Sequence, residues 1–303
     1  MIILQQMSIF FLIMGIGYIC GKKEFFNDEG VRILSFIVIN IANPALVVSS
    51  GAEGADFGLT QILVTLGVAV LTFFLLIALS FPVAYLLGGK KEDHPIYRVM
   101  FAFSNIGFMG MPLLSAVYGP ESVLYASLFL FPYNILLYTY GVTALQSRGA
   151  SAGSFAKKII NMGSIACVIS LTIFLGHIQV PEVLLTCVKS LGNMTAPLSM
   201  IVIGFSLSKI AFKELFLDAR LLIFAGVKQL LFPLLAVSVL RFLIPDPMLL
   251  KVLFIILSMP VGSMVAMFAG QFSKNDALAS KGVALTTLLS ILTIPLLSQI
   301  LGL

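Results

Sequence analysis

The chain has 303 residues, of which 59% are hydrophobic and only 10% are charged. A soluble domain carries about 25% charged residues, so this composition excludes a water-exposed globular protein and indicates a protein embedded in lipid. The net charge of +5 does not indicate nucleic-acid binding, because the basic residues follow a membrane topology instead.

Ten apolar runs are long enough to be transmembrane helices, since about 20 residues cross the ~30 Å hydrocarbon core of a bilayer. The connections between them are short, and none would hold a separate soluble domain. The sequence therefore predicts an all-α integral membrane protein with ten transmembrane helices. The runs lie near 3–21, 32–50, 59–88, 96–118, 121–146, 159–177, 186–208, 220–243, 249–272 and 279–302.

Lysine and arginine orient these helices, because cytoplasmic loops carry an excess of both. The loops after the odd-numbered runs hold 14 of these residues, and the loops after the even-numbered runs hold 3. We therefore expect a multi-pass protein of the inner or plasma membrane, with both termini outside the cytoplasm.

A Ser- and Gly-rich stretch after the fifth run predicts a cytoplasmic linker over 149–158. It separates a first five-helix repeat, 1–148, from a second, 159–303. Because five is odd, the second repeat enters the membrane with the opposite orientation, as in many secondary transporters. Weak correspondences at an offset near 155 residues support the repeat, among them Gly107 with Gly262.

The fourth and ninth runs contain proline and glycine where a transmembrane helix should be continuous. Pro112 and Pro260 lack a backbone N–H and clash with the carbonyl four residues earlier. Paired breaks in corresponding helices mark the binding sites of transporters. The half-helix after each break would present unpaired N–H groups and a positive dipole end to an anion such as a carboxylate. The alternative is a pair of kinks that only let neighbouring helices pack closely.

Polar side chains near these breaks complete a candidate substrate site. Asn105 offers an amide, and Ser104 and Ser263 offer hydroxyls. Lys228 is the one basic residue well inside a span; it either supplies a countercharge for the anion or is tied to backbone carbonyls between helices. The candidates from this reasoning are Ser104, Asn105, Gly107, Gly110, Pro112, Lys228, Pro260, Val261, Gly262 and Ser263.

These motifs resemble the auxin efflux carrier (PIN-like) family. Residues 105–119 are similar to the first crossover helix of that family, and residues 259–262 are similar to its second. Residues 285–295 resemble its final helix, and the stretch 43–46, Asn-Pro-Ala-Leu, resembles its second helix. The resemblance covers the whole chain, which lacks the long cytoplasmic loop of the plant carriers and so resembles the compact bacterial type.

The resemblance implies two inverted five-helix repeats with crossed, broken helices 4 and 9, a fold similar to that of bile-acid symporters. It implies a scaffold of helices 1, 2, 6 and 7, a transport domain of helices 3–5 and 8–10, and elevator-type alternating access. Members of the family carry organic anions such as auxin, malate or malonate. By position, Asn105 would contact the substrate carboxylate, and Asn43, Tyr133 and Asn134 would also face the substrate. The resemblance alone suggests a homodimer.

No acidic residue lies in the middle of a run, so coupling through a protonatable carboxylate is not expected. A carboxylate that leaves an inside-negative cell gains roughly 2.3 kcal/mol per 100 mV, which would drive uncoupled export. Sodium- or proton-coupled carboxylate symport is the alternative. A channel or a non-transporting membrane protein would leave the paired breaks unexplained. An enzyme is not expected, because the sequence lacks a buried acid pair, zinc-ligand spacing or a Ser/His arrangement, and no cofactor or metal ion is expected.

Overall fold

The computed structural model describes residues 2–25, 27–52, 58–146, 162–272 and 275–303. The linker expected over 149–158 lies outside the described residues. Within the described ranges the chain is helical and forms no strand. In chain order the helices are Ile2–Lys22 (α1), Asp28–Ala52 (α2), Leu59–Leu87 (α3), His94–Ala102 (α4), Ile106–Tyr118 (α5), Pro120–Leu145 (α6), Met162–Leu175 (α7), Glu182–Ser208 (α8), Phe212–Leu215 (α9), Ala219–Leu243 (α10), Pro247–Ser258 (α11), Ser263–Phe272 (α12) and Asp276–Leu301 (α13).

Length and composition make seven of these helices able to cross a membrane, namely α1, α2, α3, α6, α8, α10 and α13. Three shorter apolar helices, α5, α7 and α11, lie in the other predicted runs. Apolar side chains cover the outer surfaces of the long helices, as Leu12 on α1 and Leu86 on α3 illustrate with 73% and 81% exposure. Large apolar side chains exposed to this degree require lipid around them. The all-helical, multi-pass architecture predicted from composition is therefore confirmed.

Four of the described helices contain a π turn, which takes one extra residue into the turn. In three cases a proline follows two residues later, and the carbonyl four residues before it lies inside the wider turn. Such a turn relieves the clash that a proline ring would make in a regular α-helix. These helices therefore continue past Pro44, Pro112 and Pro233. The π turns are Val38–Ala42, Ile106–Gly110, Leu137–Gly141 and Val227–Leu231.

The described chain divides into two compact units. The first comprises Met1–Ala69, Ile106–Phe131 and Ile160–Lys209. In this unit α1 packs along the second half of α8, and a Cβ atom at Gly17 or at Gly204 would collide with the backbone of the opposite helix. Small residues at a helix contact allow close van der Waals packing, which stabilises helix pairs where lipid removes the hydrophobic driving force.

The second unit comprises Val70–Asn105, Pro132–Ile159 and Ile210–Leu303. Helix α13 is its centre and packs against α4, α10, α11 and α12. Its inner face carries fully buried hydroxyl residues, including Thr286 and Thr287, both 0% exposed. Polar side chains inside a lipid-embedded protein are energetically costly and mark functional regions. Most of the candidate site residues lie in this unit.

Candidate functional site

Two short extended segments interrupt the helices of the second unit. The first, Phe103–Asn105, follows α4, and Phe103 has φ −115° and ψ 99°. The second, Met259–Gly262, lies between α11 and α12, and Met259 has φ −63° and ψ 145°. Proline disfavours helical geometry in the residue before it, so Pro260 accounts for the extended conformation of Met259. The sequence predicted an interruption in both runs, and the structure has one in each.

The first interruption lies upstream of the residue expected to cause it. Pro112 follows the π turn Ile106–Gly110 in α5, so the chain there stays helical. The departure from helix at Phe103–Asn105 contains no proline. The reason for it is tertiary, because this segment pairs with the second one.

The two extended segments pair with each other as a short antiparallel bridge, in which Ser104 lies opposite Val261. The Asn105 N–H donates to the Pro260 carbonyl at 2.8 Å, and the Gly262 N–H donates to the Phe103 carbonyl at 2.9 Å. The N–H groups at these positions were expected to be unpaired. The bridge satisfies two of them, so side chains and the N-terminus of α12 are left as the donors for a solute.

Successive side chains of an extended segment point to opposite faces, and this alternation separates the candidate residues into two sets. On the front face, the Asn105 amide Nδ2 donates to the Ser263 hydroxyl at 3.3 Å. The Tyr133 ring packs edge-on against Phe103 at 5.6 Å between ring centroids. The Tyr133 hydroxyl also lies 3.1 Å from the place where a Cβ atom on Gly262 would be. The front face is therefore lined by Asn105, Tyr133, Gly262 and Ser263.

On the back face, Lys228 Nζ donates to the Ser104 hydroxyl at 2.7 Å and lies 5.6 Å from the centroid of the Phe101 ring. Lys228 is 0% exposed and belongs to the π turn of α10. The structure therefore ties Lys228 to a serine hydroxyl behind the bridge. The acceptor that the structure gives Lys228 is thus a side-chain hydroxyl rather than one of the expected backbone carbonyls.

A network of buried polar residues supports the back of the bridge. The Thr286 hydroxyl of α13 accepts a hydrogen bond from the Val261 N–H at 3.1 Å and donates to the Gly282 carbonyl at 2.7 Å. The Gln229 amide donates to the Thr286 carbonyl at 3.2 Å and accepts from the Thr293 hydroxyl at 3.0 Å. Thr286 thus satisfies a third N–H of the interruptions and fixes the second segment to α13.

Sequence reasoning did not identify Thr286 as part of the site. Its signal was present, because Thr286 and Thr287 are adjacent hydroxyl residues inside the apolar run 279–302. Only the fold shows that one member of the pair meets a backbone N–H 25 residues away.

We expect Thr286→Val to lower the thermal midpoint of the purified protein in detergent, because the buried Val261 N–H loses its acceptor at a cost of about 1–3 kcal/mol. Thr286→Ser keeps the hydroxyl and should restore most of the midpoint. Thr287→Val is the matched control, since the buried Thr287 hydroxyl has no hydrogen-bond partner among the described residues. Equal destabilisation by the two valine variants would contradict the supporting role of Thr286.

Four of the predicted site residues lie in the first unit. The Asn43 amide Nδ2 donates to the Gly107 carbonyl at 3.0 Å, and its buried Oδ1 has no hydrogen-bond partner among the described residues. Gly110 and Pro112 are buried in α5. Asn134, the neighbour of Tyr133 in α6, belongs to the second unit and is partly exposed.

The chemistry of the second-unit site suits an anion. The front face offers the Asn105 amide and the Ser263 hydroxyl, at the positive end of the α12 dipole. Lys228 lies behind the bridge. The described residues contain no group of three His, Cys, Asp or Glu side chains that could hold a metal ion.

Comparisons with known proteins identify relatives along the whole chain. The sequence matches the family described as membrane transport protein over residues 2–154 and 153–298. An uncharacterized transporter of Methanothermobacter thermautotrophicus is 23% identical over 290 residues, which is 94% of this chain and 94% of the relative. An uncharacterized transporter of Methanocaldococcus jannaschii is 25% identical over 321 residues, which is 99% of each chain.

Proposed function

The chain belongs to the membrane transport protein family of auxin efflux carriers, and we propose that it carries small organic anions across the cell membrane. The proposed substrates are carboxylates such as malate, malonate or auxin-like acids. Family membership supports transport, and the chemistry of the candidate site supports an anion as the transported solute.

One observation supports an anion as the substrate: hydrogen-bond donors lie close together at the bridge between residues 103–105 and 259–262. The Asn105 amide and the first residue of α12, Ser263, meet on one face. The Lys228 side chain lies behind them. None of the described acidic residues forms a hydrogen bond or an ion pair with these three side chains. A carboxylate on the front face would find hydrogen-bond donors, and Lys228 behind the bridge is a basic group whose charged form would attract it.

We further propose that the ten apolar runs form two inverted five-helix repeats, with both termini outside the cytoplasm and two copies in a homodimer. The two extended segments fall in the fourth run of each five, which supports a common plan for the halves. The first, second, sixth and seventh of these runs would form the scaffold. The third to fifth and the eighth to tenth runs would move with the substrate in an elevator-type cycle.

Uptake into proteoliposomes tests this proposal. We expect saturable entry of at least one of radiolabelled malate, malonate and indole-3-acetate, above the leak of protein-free vesicles. Vesicles preloaded with the unlabelled anion should accelerate entry of the labelled anion, because a carrier exchanges its substrate across the membrane. Entry should be the same in sodium and in potassium buffer.

Other outcomes would identify other functions. A strict requirement for sodium would favour sodium symport. A non-saturating conductance without exchange would indicate a channel. Failure to move any of a broad set of mono- and dicarboxylates would reject organic anions as the substrate class.

A further inference from the structure

Lys228 is a buried ionisable residue, and one hydrogen bond to the bridge does not explain why this position needs a basic side chain. It lies nine residues after Ala219, the first residue of α10, which is about 14 Å along the helix at 1.5 Å per residue. Its side chain is 0% exposed. It donates a hydrogen bond to the Ser104 hydroxyl and lies over the ring of Phe101.

The elements packed against this π turn supply no described carboxylate partner for it. These elements are the rest of α10, together with α4, α11 and α13. None of their described titratable side chains forms a hydrogen bond or an ion pair with Lys228; these are His94, Tyr97, Arg98, Arg220, Arg241, Lys251 and Lys281.

Three described aspartates at the starts of α4, α10 and α11 have hydrogen-bond partners elsewhere. Asp218 accepts hydrogen bonds from the N–H groups of Arg220 and Leu221 at the start of α10. Asp246 does the same at the start of α11. Asp93, just before α4, accepts from the Asn275 amide at 2.9 Å.

An ammonium group in this environment is poorly stabilised. It carries three N–H donors, and among the described residues one of them has a hydrogen-bond acceptor, the Ser104 hydroxyl. A buried ion without a countercharge is costly, and such a group gives up its charge instead. A neutral amine needs less, because the serine hydroxyl can accept from it or donate to it. An anion bound on the front face of the bridge would reverse this preference, because opposite charges attract strongly where water is excluded.

We propose that Lys228 is neutral in the empty carrier and takes up one proton whenever a carboxylate binds beside Asn105, so that each anion crosses together with one proton. On the loading side, the lone pair of the Lys228 amine accepts a proton from hydronium, leaving water. On the release side the carboxylate departs and the ammonium returns its proton to water. No other bond changes. This inference rests on the proposed function and selects proton coupling over the uncoupled export expected from the sequence.

Linkage fixes the sign of the pH dependence. The bound carrier holds one proton more than the empty carrier, so acid favours binding and alkali opposes it. The apparent affinity for the anion should fall by up to about tenfold for each unit of pH increase. A proton carried by a lysine also needs no carboxylate in the membrane, which agrees with the absence of acidic residues from the middle of the apolar runs.

The experiment measures protons and malonate together at pH 8, where malonate is fully ionised on both sides of the membrane. Proteoliposomes contain a trapped pH-sensitive dye in weak buffer, and potassium with valinomycin clamps the voltage. We expect one proton to appear inside for each radiolabelled malonate that enters. Lys228→Met, a neutral side chain of similar length, should abolish this proton movement, and any remaining malonate entry should lose its pH dependence.

The possible results distinguish failure of this inference from failure of the proposed function. Malonate entry without internal acidification in the wild-type protein would overturn the inference and leave the proposed function standing, whether or not the variant folds. Acidification that persists in Lys228→Met would place the proton elsewhere and would also overturn it. If malonate does not enter, the same measurement is made with the carboxylate that does. If no carboxylate enters or binds, the proposed function fails and this inference fails with it.

Discussion

Replacement of Asn105 by alanine should lower the rate of carboxylate entry about 10- to 100-fold per folded molecule. The Asn105 amide is the polar group that the first extended segment presents on the front face, where it contacts Ser263. A hydrogen bond to a charged solute contributes about 1.5–3 kcal/mol, which corresponds to this range. Folding should be little affected, because the backbone N–H of residue 105 still donates to the Pro260 carbonyl. The measurement is initial uptake into proteoliposomes, normalised to monodisperse protein.

The matched control is Asn40→Ala. Asn40 is also an asparagine inside an apolar run, but its amide donates to the Phe36 carbonyl of its own helix at 3.0 Å. We expect this variant to transport at nearly the wild-type rate. Uptake that is unchanged in Asn105→Ala, or equally reduced in both variants, would remove Asn105 from the substrate site.

Gly262→Val should abolish transport and lower thermal stability, because it separates the two extended segments. A Cβ atom at this position would lie 3.1 Å from the Ser104 carbonyl oxygen and 3.2 Å from that of Phe103. These atoms belong to the backbone and cannot rotate away as the end of a side chain could. Overpacking of a core costs about 1–3 kcal/mol, and here it also lengthens the hydrogen bond from the Gly262 N–H to the Phe103 carbonyl. Uptake and the thermal midpoint in detergent measure the two effects.

A second glycine, Gly270 in the helix that follows Gly262, allows a comparison. A Cβ atom at Gly270 would have no heavy atom within 4 Å, so Gly270→Val should fold and transport like the wild type. Gly262→Ala should fall between the wild type and Gly262→Val, since the neighbours then need to move by only a few tenths of an ångström. A fully active Gly262→Val would show that the close approach of the two segments is not needed for transport.

Local sequence signals determined the membrane class and the position of one interruption. A chain with so few charged residues requires a lipid environment whatever the arrangement of its helices. The structure confirms the predicted membrane class because the apolar runs are helical. Pro260 acts through its own ring on the residue before it, so the interruption at 259–262 could be located from neighbours in the chain alone. Family membership was also available from local motifs, namely the two crossover stretches at 105–119 and 259–262.

Tertiary structure alone decided where the first interruption lies and which residues meet. Pro112 is accommodated by a π turn, an adjustment that the sequence does not distinguish from a break. The segment at 103–105 is extended because it pairs with 259–262. Asn105 meets Ser263 across 158 residues and Lys228 meets Ser104 across 124. Such contacts depend on the packing of whole helices, whereas a sequence pattern reports only what neighbouring residues do to each other.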